Sequence, residues 1–502
     1  MELKGKKSNF FDELQSSIAQ FGQNNAFCIN GEFYTYHEFA QVISNIRDYI
    51  KNTIANDEKI IGIVANDDLE TYAAIVALWF EGKAYVPINT DTPIERNQIV
   101  IEEAQITTIM DSSDVINFPN LKTISTKKLP SAAVNLVPNQ TSETELVYIL
   151  FTSGTTGKPK GVPITRQNLM GFIDAFWDMD FNIDENDKCL QMFELTFDLS
   201  VMSYLVPLLK GACVYTIPKD KIKYSYIFEL MENHELTVAL MVPSILHFLR
   251  PYFDEIDLPK MKYSLFCGEA LHLDITEEWS KCLPNARIVN VYGPTEDTIF
   301  CTYYDFKRNE SNKSHNGVLS IGNSMAGNFT ILVDENNQMV NDDNVGELCL
   351  GGIQLTPGYW KNEEKNKESF FYAQYLGKEE RFYRTGDLCK VDDQGDLMYL
   401  GRKDFQTKIQ GFRVELSEIE FYAKEFLVKT NVVVVAMTDH IGNTELGMII
   451  EDKNFDTTAL LDYMKLKLPT YMIPKKIAFI DVFPLNVNGK IDRKQLGLLF
   501  KN

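Results

Sequence analysis

Short apolar runs rich in β-branched residues recur along this chain and alternate with segments of helical spacing, which limits its fold more than any other feature. Ile60-Ile61-Gly62-Ile63-Val64 and Leu146-Val147-Tyr148-Ile149-Leu150-Phe151 have the length and continuity of strands buried on both faces. Between such runs, Leu169, Phe172, Ile173 and Phe176 fall at i, i+3, i+4 and i+7 and lay one apolar stripe along a helix. Sustained over several hundred residues, the pattern predicts an α/β fold, with a large N-terminal domain of layered sheets and helices. A length of 502 residues exceeds what one core normally serves. The last hundred residues read as a separate small α+β C-terminal domain. There Val432 to Val435 and Met448 to Ile450 are strand-like, and Leu460, Leu461, Met464 and Leu468 mark one helical face. The boundary is expected at the polar stretch Gly401-Arg402-Lys403-Asp404, giving domains 1–402 and 403–502.

Charge narrows the partners. Forty-nine Lys and Arg stand against seventy Asp and Glu, a formal net charge of -21, which repels nucleic-acid phosphates and anionic lipid. The basic tracts at Lys4 to Lys7 and Lys219 to Lys223 are too short and mixed to reverse this, and read as solvated surface. Eight cysteines are scattered without a C-x-x-C pair, so reduced, mostly buried thiols are expected rather than a zinc site or a disulfide framework. No signal-peptide pattern follows Met1, and the apolar run Ala73 to Phe80 is too short to span a bilayer. A cytoplasmic protein with neither nucleic acid nor membrane as partner is expected.

The chemistry is concentrated in Phe151-Thr152-Ser153-Gly154-Thr155-Thr156-Gly157-Lys158-Pro159-Lys160-Gly161, which directly follows a hydrophobic strand. Three glycines let the backbone approach a ligand and offer N–H groups, the hydroxyls add donors, and two lysines add charge. That combination suits a polyphosphate. It is not a Walker loop, because two residues rather than four separate Gly154 from Gly157, and Pro159 rather than Ser or Thr follows Lys158. An exposed polar turn would tolerate the glycines but gives no reason for two lysines bracketing a proline.

This loop resembles the phosphate-binding signature of the adenylate-forming enzymes, a superfamily that includes acyl-CoA synthetases, luciferases and nonribosomal peptide adenylation domains. Further matches follow in the family's order over nearly the whole chain: Tyr34 to Glu38, Lys83 to Pro87, Asn290-Val291-Tyr292-Gly293-Pro294-Thr295-Glu296, Gly346 to Leu348, Tyr383 to Asp387, Gly401 to Gln406, Lys408 to Glu415, Leu468 to Pro474 and Asn488 to Asp492. Each alone is weak; their order is specific.

The resemblance implies a reaction in which a carboxylate attacks the α-phosphate of ATP. Two anions must meet, so cations and a grip on the pyrophosphate are required. Lys490, in Asn488-Gly489-Lys490, is the implied catalytic cation and also touches the acid; without its flanking match it would read as a solvent-exposed lysine. Glu296 is the implied Mg²⁺ ligand and second catalytic residue, since Mg²⁺ takes one or two carboxylates plus phosphate oxygens. The implied ATP-binding set is Thr152, Ser153, Gly154, Thr155, Thr156, Gly157 and Lys158 in the loop, Gly268, Glu269 and Ala270 beside the base, and Asn290, Tyr292, Gly293 and Thr295. Tyr292 would stack on adenine, Asp387 would take the ribose hydroxyls, and Arg402 would lie near the same sugar. Asp404 matches the family's hinge, about which the small domain turns after adenylation, and Gly411 lies in the segment lining the thiol's approach. Gln410 stands where many relatives have Arg.

Phe197-Asp198-Leu199-Ser200-Val201-Met202 bears on the acid. Asp198 aligns with the aspartate that pairs with the α-ammonium of an amino acid in peptide-synthetase adenylation domains; the second reading is a surface helix cap. Leu199, Met202, Leu240, Leu265, Cys267, Val291, Ile299 and Phe300 align with pocket positions and form an apolar set suited to a small side chain. The runs Phe197 to Met202 and Leu265 to Glu269 are similar to those of D-alanine–carrier protein ligases. The implied function is ATP-dependent activation of a small amino acid, D-alanine first, and transfer to the phosphopantetheine thiol of a carrier protein expected in trans. The alternatives are an acyl-CoA synthetase for a small non-amino acid, a stand-alone peptide-synthetase adenylation enzyme for another amino acid, and a regulatory protein that kept the fold without the chemistry.

Overall fold

The computed structural model describes residues 9–154, 158–340, 344–428, 430–453, 455–485 and 491–500. Two compact units divide the chain. The first comprises Met1–Asn89, Ala104–Leu150 and Gly161–Lys403; the second comprises Thr90–Glu103, Phe151–Lys160 and Asp404–Asn502.

The first unit is layered α/β. A nine-stranded sheet runs in the order Asn323–Ser324, Thr302–Asp305, Arg287–Tyr292, Tyr263–Phe266, Val238–Met241, Lys188–Gln191, Cys213–Thr216, Asn25–Ile29, Glu32–Thr35. Its interior strands are parallel and its margins antiparallel. A six-stranded sheet carries Ile60–Val64 and Ala84–Ile88 at its centre, followed by Leu146–Thr152 and Lys160–Thr165. Both central strands are buried almost throughout, as continuous apolar runs on a parallel sheet must be. The apolar run from Ala73 lies in the helix Leu69–Phe80, every residue of which is buried except Glu70. That explains its lack of a polar face. Arg166–Trp177 carries the Leu169, Phe172, Ile173, Phe176 stripe inward and begins with a capping box between Thr165 and Asn168. A third sheet of five antiparallel strands holds Gly346–Gly352, Lys378–Val391 and Leu397–Arg402.

In the second unit the hairpin Gln406–Ile409 and Phe412–Glu415 turns through Gln410 and Gly411, both at positive φ (50° and 85°), as a two-residue hairpin loop demands. Val432–Thr438, Thr444–Ile450 and Lys476–Phe479 form a three-stranded sheet, and helices Leu416–Leu427 and Thr458–Lys467 share its apolar core. All eight cysteines are free and buried. Among the described residues no helix is long and apolar enough to cross a membrane.

Candidate active site

Parallel pairing brings the C-terminal ends of four strands of the nine-stranded sheet to one edge. Leu240 stands opposite Leu265, Leu265 opposite Val289, and Phe266 opposite Asn290. In open α/β sheets that edge is where ligands are taken up. Leaving it, the chain delivers Asp198 after Lys188–Gln191, Leu240 near the end of Val238–Met241, Cys267 to Ala270 after Tyr263–Phe266, and Val291 to Phe300 at the end of and beyond Arg287–Tyr292.

Asp198 occupies the N-cap position of helix Leu199–Leu208, yet its side chain makes no capping hydrogen bond and it is 3% exposed. The surface-cap reading is thereby excluded. Its charge reaches inward: the fully buried phenols of Tyr148 and Tyr85 are raised first by burial and also by Asp198. A carboxylate so placed attracts an ammonium strongly. Leu199, Met202, Leu240, Leu265, Cys267, Val291, Ile299 and Phe300 all belong to one buried cluster. Phe300 is 0% exposed and presents its ring edge-on to Phe172, centroids 5.0 Å apart.

Tyr292 and Asp387 meet from different sheets. The Tyr292 hydroxyl donates to Asp387 Oδ2 at 2.5 Å, and Arg402 donates to Oδ1 at 2.8 Å from the neighbouring strand, directly opposite Asp387. An ionised carboxylate has about four acceptor positions, and among the described residues Tyr292 and Arg402 take two of them at Asp387. Burial, and then Asp387, raises the Tyr292 phenol well above its ordinary value, keeping it a donor. Gly293 is required by space: a Cβ there would lie 2.4 Å from the Phe300 Cα. Asn290 is turned to structural use, its amide donating to the Ser320 carbonyl at 2.9 Å. Gly268 takes a left-handed φ of 93°, Glu269 accepts from the Ser244 N–H at 2.9 Å, and Ala270 follows in the same turn. Thr295 opens the short 3-10 turn that contains Glu296. Glu296 is 0% exposed, with Oε1 held by the Tyr359 hydroxyl at 2.6 Å.

The phosphate-loop flanks belong to the second unit. Thr152 Oγ1 lies 3.5 Å from the Lys160 carbonyl, and the Ser153 hydroxyl donates to the Arg413 carbonyl at 2.7 Å. A Cβ at Gly154 would fall 1.9 Å from the Lys158 carbonyl oxygen, so only glycine fits there. Burial raises the Glu418 carboxyl, against the opposing effects of its pairing with Arg96 and of the Gly154 N–H. Lys158 is exposed, 3.9 Å from Glu103. Asp404 is exposed and accepts from the Gln406 N–H at 3.1 Å. Thr155, Thr156, Gly157 and Lys490 lie outside the described residues.

Residues 14–360 match the AMP-binding enzyme family. The chain belongs to that family. Within it, a D-alanine–D-alanyl carrier protein ligase of Lactiplantibacillus plantarum is 30% identical over 493 residues, covering 94% of this chain and 95% of that protein. Gramicidin S synthase 1 of Brevibacillus brevis is 30% identical over 495 residues, covering 96% of this chain; the chain spans only 44% of that synthase's length. Among solved structures, the Vibrio cholerae adenylation domain AlmE in complex with glycyl-adenosine-5'-phosphate superposes with a TM-score of 0.86 at 27% identity, covering 99% of this chain and 98% of that one.

Three residues of this AMP-binding enzyme escape the motif reading. Tyr359 holds Glu296, and Gln354 is hydrogen-bonded to the turn that follows it. Both lie in the irregular segment after Gly346–Gly352, where no periodicity marks them. Asp297 is fully buried, and burial pushes its carboxyl up to about 7 against the opposing hydrogen bond from the Cys301 thiol. A second acid beside Glu296 was its only signal.

Proposed function

We propose that this AMP-binding enzyme activates a small amino acid with ATP and passes the aminoacyl group to the phosphopantetheine thiol of a separate carrier protein. One observation carries the reading: the buried Asp198 carboxylate at the ligand-binding edge of the sheet, next in sequence to the apolar residues of the pocket. A fatty or aryl acid brings no cation to match it; an amino acid brings its α-ammonium.

In the first half-reaction the substrate carboxylate attacks the α-phosphorus, a P–O bond forms, and the bond to the departing pyrophosphate breaks. Asp198 orients the ammonium, Asp387 and Arg402 hold the ribose, Tyr292 flanks the base, and Lys490, which lies outside the described residues, is the cation the resemblance assigns to the reacting oxygens. In the second, the thiol loses its proton, its sulfur attacks the acyl carbon, and AMP leaves. Magnesium fits the donor set as an ion that takes one or two carboxylates and brings phosphate and water ligands: Glu296 would hold it, its Oε1 oriented by the Tyr359 hydroxyl. When bound it neutralises phosphate charge. We further propose that 1–402 and 403–502 are the functional domains, with Asp404 as the hinge; Asp404→Pro is expected to spare adenylation and abolish thioester formation.

D-Alanine is supported by the runs Phe197 to Met202 and Leu265 to Glu269 and by the Lactiplantibacillus relative. Glycine is a second reading, favoured by the bulk of Phe300 in the wall. Pyrophosphate exchange over glycine and D- and L-amino acids separates them. Silence with all amino acids together with exchange driven by fatty or aryl acids would overturn the proposal, and a CoA-dependent thioester would favour an acyl-CoA synthetase. Lys490→Ala should lower exchange by about 100-fold or more; absence of exchange with every acid in the unaltered protein, so that Lys490→Ala changes nothing, would instead support a regulatory protein.

A further inference from the structure

Thr298 and Ile299 are both β-branched and both held at positive φ, 48° and 75°. Such residues avoid the left-handed region, so surrounding structure must impose the conformation. The restraint comes from Gln354, which is fully buried. Its Nε2 lies 3.2 Å from the Asp297 carbonyl, 3.1 Å from that of Thr298 and 2.9 Å from that of Phe300. Its Oε1 accepts from Asn328 Nδ2 at 2.5 Å, which fixes which end of the amide faces the turn. Its backbone carbonyl accepts the Thr298 hydroxyl at 2.5 Å. The same segment reaches the residue before: the Thr356 N–H donates to the Glu296 carbonyl at 2.9 Å.

We infer that Gln354 is the positioning residue that shapes the amino-acid pocket, holding Ile299 and Phe300 in the wall through the strained turn it clamps. The inference rests on the proposed amino-acid substrate and adds the determinant of side-chain selectivity. Gln354 bonds to the backbone of the turn and acts through it. Three carbonyls converge on one amide nitrogen, so an oxygen in its place would be repelled by all three and the turn would relax away from Gln354.

The test is Gln354→Glu, isosteric with the amide but with no donor as a carboxylate and a single one when protonated, against three carbonyls. Steady-state pyrophosphate exchange should show the amino-acid KM raised roughly tenfold or more and the ATP KM within about twofold, with the preference between glycine, alanine and valine flattened. Thr298→Val, which deletes a single hydroxyl bond at constant shape, should move the amino-acid KM in the same direction by a smaller factor. Unchanged amino-acid KM and selectivity in both variants, or equal rises in both KM values, would overturn the inference. A crystal structure of Gln354→Glu decides independently of turnover: displaced Ile299 and Phe300 backbones support the clamp, and an unmoved turn rejects it. If the wild-type enzyme exchanges with no amino acid, the substrate proposal fails, while the crystallographic result still decides the clamp.

Discussion

The Tyr292 hydroxyl donates to Asp387 Oδ2 across 95 positions of sequence, at 2.5 Å, while Arg402 secures Oδ1 at 2.8 Å. The carboxylate is thereby held from two sides and presented in one orientation. Asp387 alone, after a glycine, would pass for a turn residue; on a strand between a phenol and a guanidinium it is a fixed acceptor.

Tyr292→Phe should leave Asp387 Oδ2 without that donor. Loss of one partner from a buried acceptor costs about 1–3 kcal/mol. The ATP KM in pyrophosphate exchange is expected to rise several-fold and the amino-acid KM to change little. A melting temperature and ATP KM equal to the wild type would refute the coupling.

Asp198→Asn keeps the shape and removes the charge. Amino-acid-dependent exchange should fall by about 100-fold or more, the usual consequence of removing one member of a buried charge pair, while nucleotide binding stays within about twofold. Nucleotide titration of the same variant supplies the second reading. A parallel loss of ATP binding would indicate general damage.

Gly293→Ala places a Cβ 2.4 Å from the Phe300 Cα and 3.0 Å from the Cys301 N–H nitrogen. Backbone atoms cannot step aside as side chains do, so a cost of about 1–3 kcal/mol or more is expected, with weakened exchange. Gly22→Ala, where nothing lies within 4 Å, should stay within about 0.5 kcal/mol in urea unfolding.

Asp67 supplies a pH dependence. Burial pushes its carboxyl up to about 7, against the opposing hydrogen bond from the Tyr72 hydroxyl, Asp68 adding to the rise and Lys219 and Lys223 opposing it. The folded state therefore binds a proton that the unfolded chain releases near pH 4. Its stabilising contribution is full below about pH 4 and is lost as pH rises through 7. Asp67→Asn should remove this slope, so that the variant gains on the wild type, by on the order of 1 kcal/mol, between pH 5 and pH 8. Melting temperatures across that range test it, and parallel curves would refute it.

Motifs marked the candidate residues better than they explained their contacts. Asp198, Tyr292, Asp387 and the Gly154 turn are legible because each sits inside a motif of fixed residue types and spacing. The strands around Ile60 to Val64 and Leu146 to Phe151 are legible because burial on both faces leaves a continuous apolar run. Tyr359 and Gln354 were not legible: each acts through hydrogen bonds to residues distant in sequence, and a lone Tyr or Gln in an irregular segment carries no spacing to read. Asn290 shows the converse, since it sits inside a motif yet donates to the Ser320 carbonyl.

By itself the amino-acid order determined the layered α/β class, the AMP-binding family and the positions where charge and glycine are needed, because local periodicity and motif spacing are properties of neighbours along the chain. Tertiary structure alone decided that Asp198 is buried rather than a surface cap, that Asp387 is gripped by Tyr292 and Arg402, and that a glutamine holds two β-branched residues in the left-handed region. Those facts depend on which strand ends and loops, far apart in sequence, are brought within hydrogen-bond reach, and distance in space is what a linear pattern does not encode.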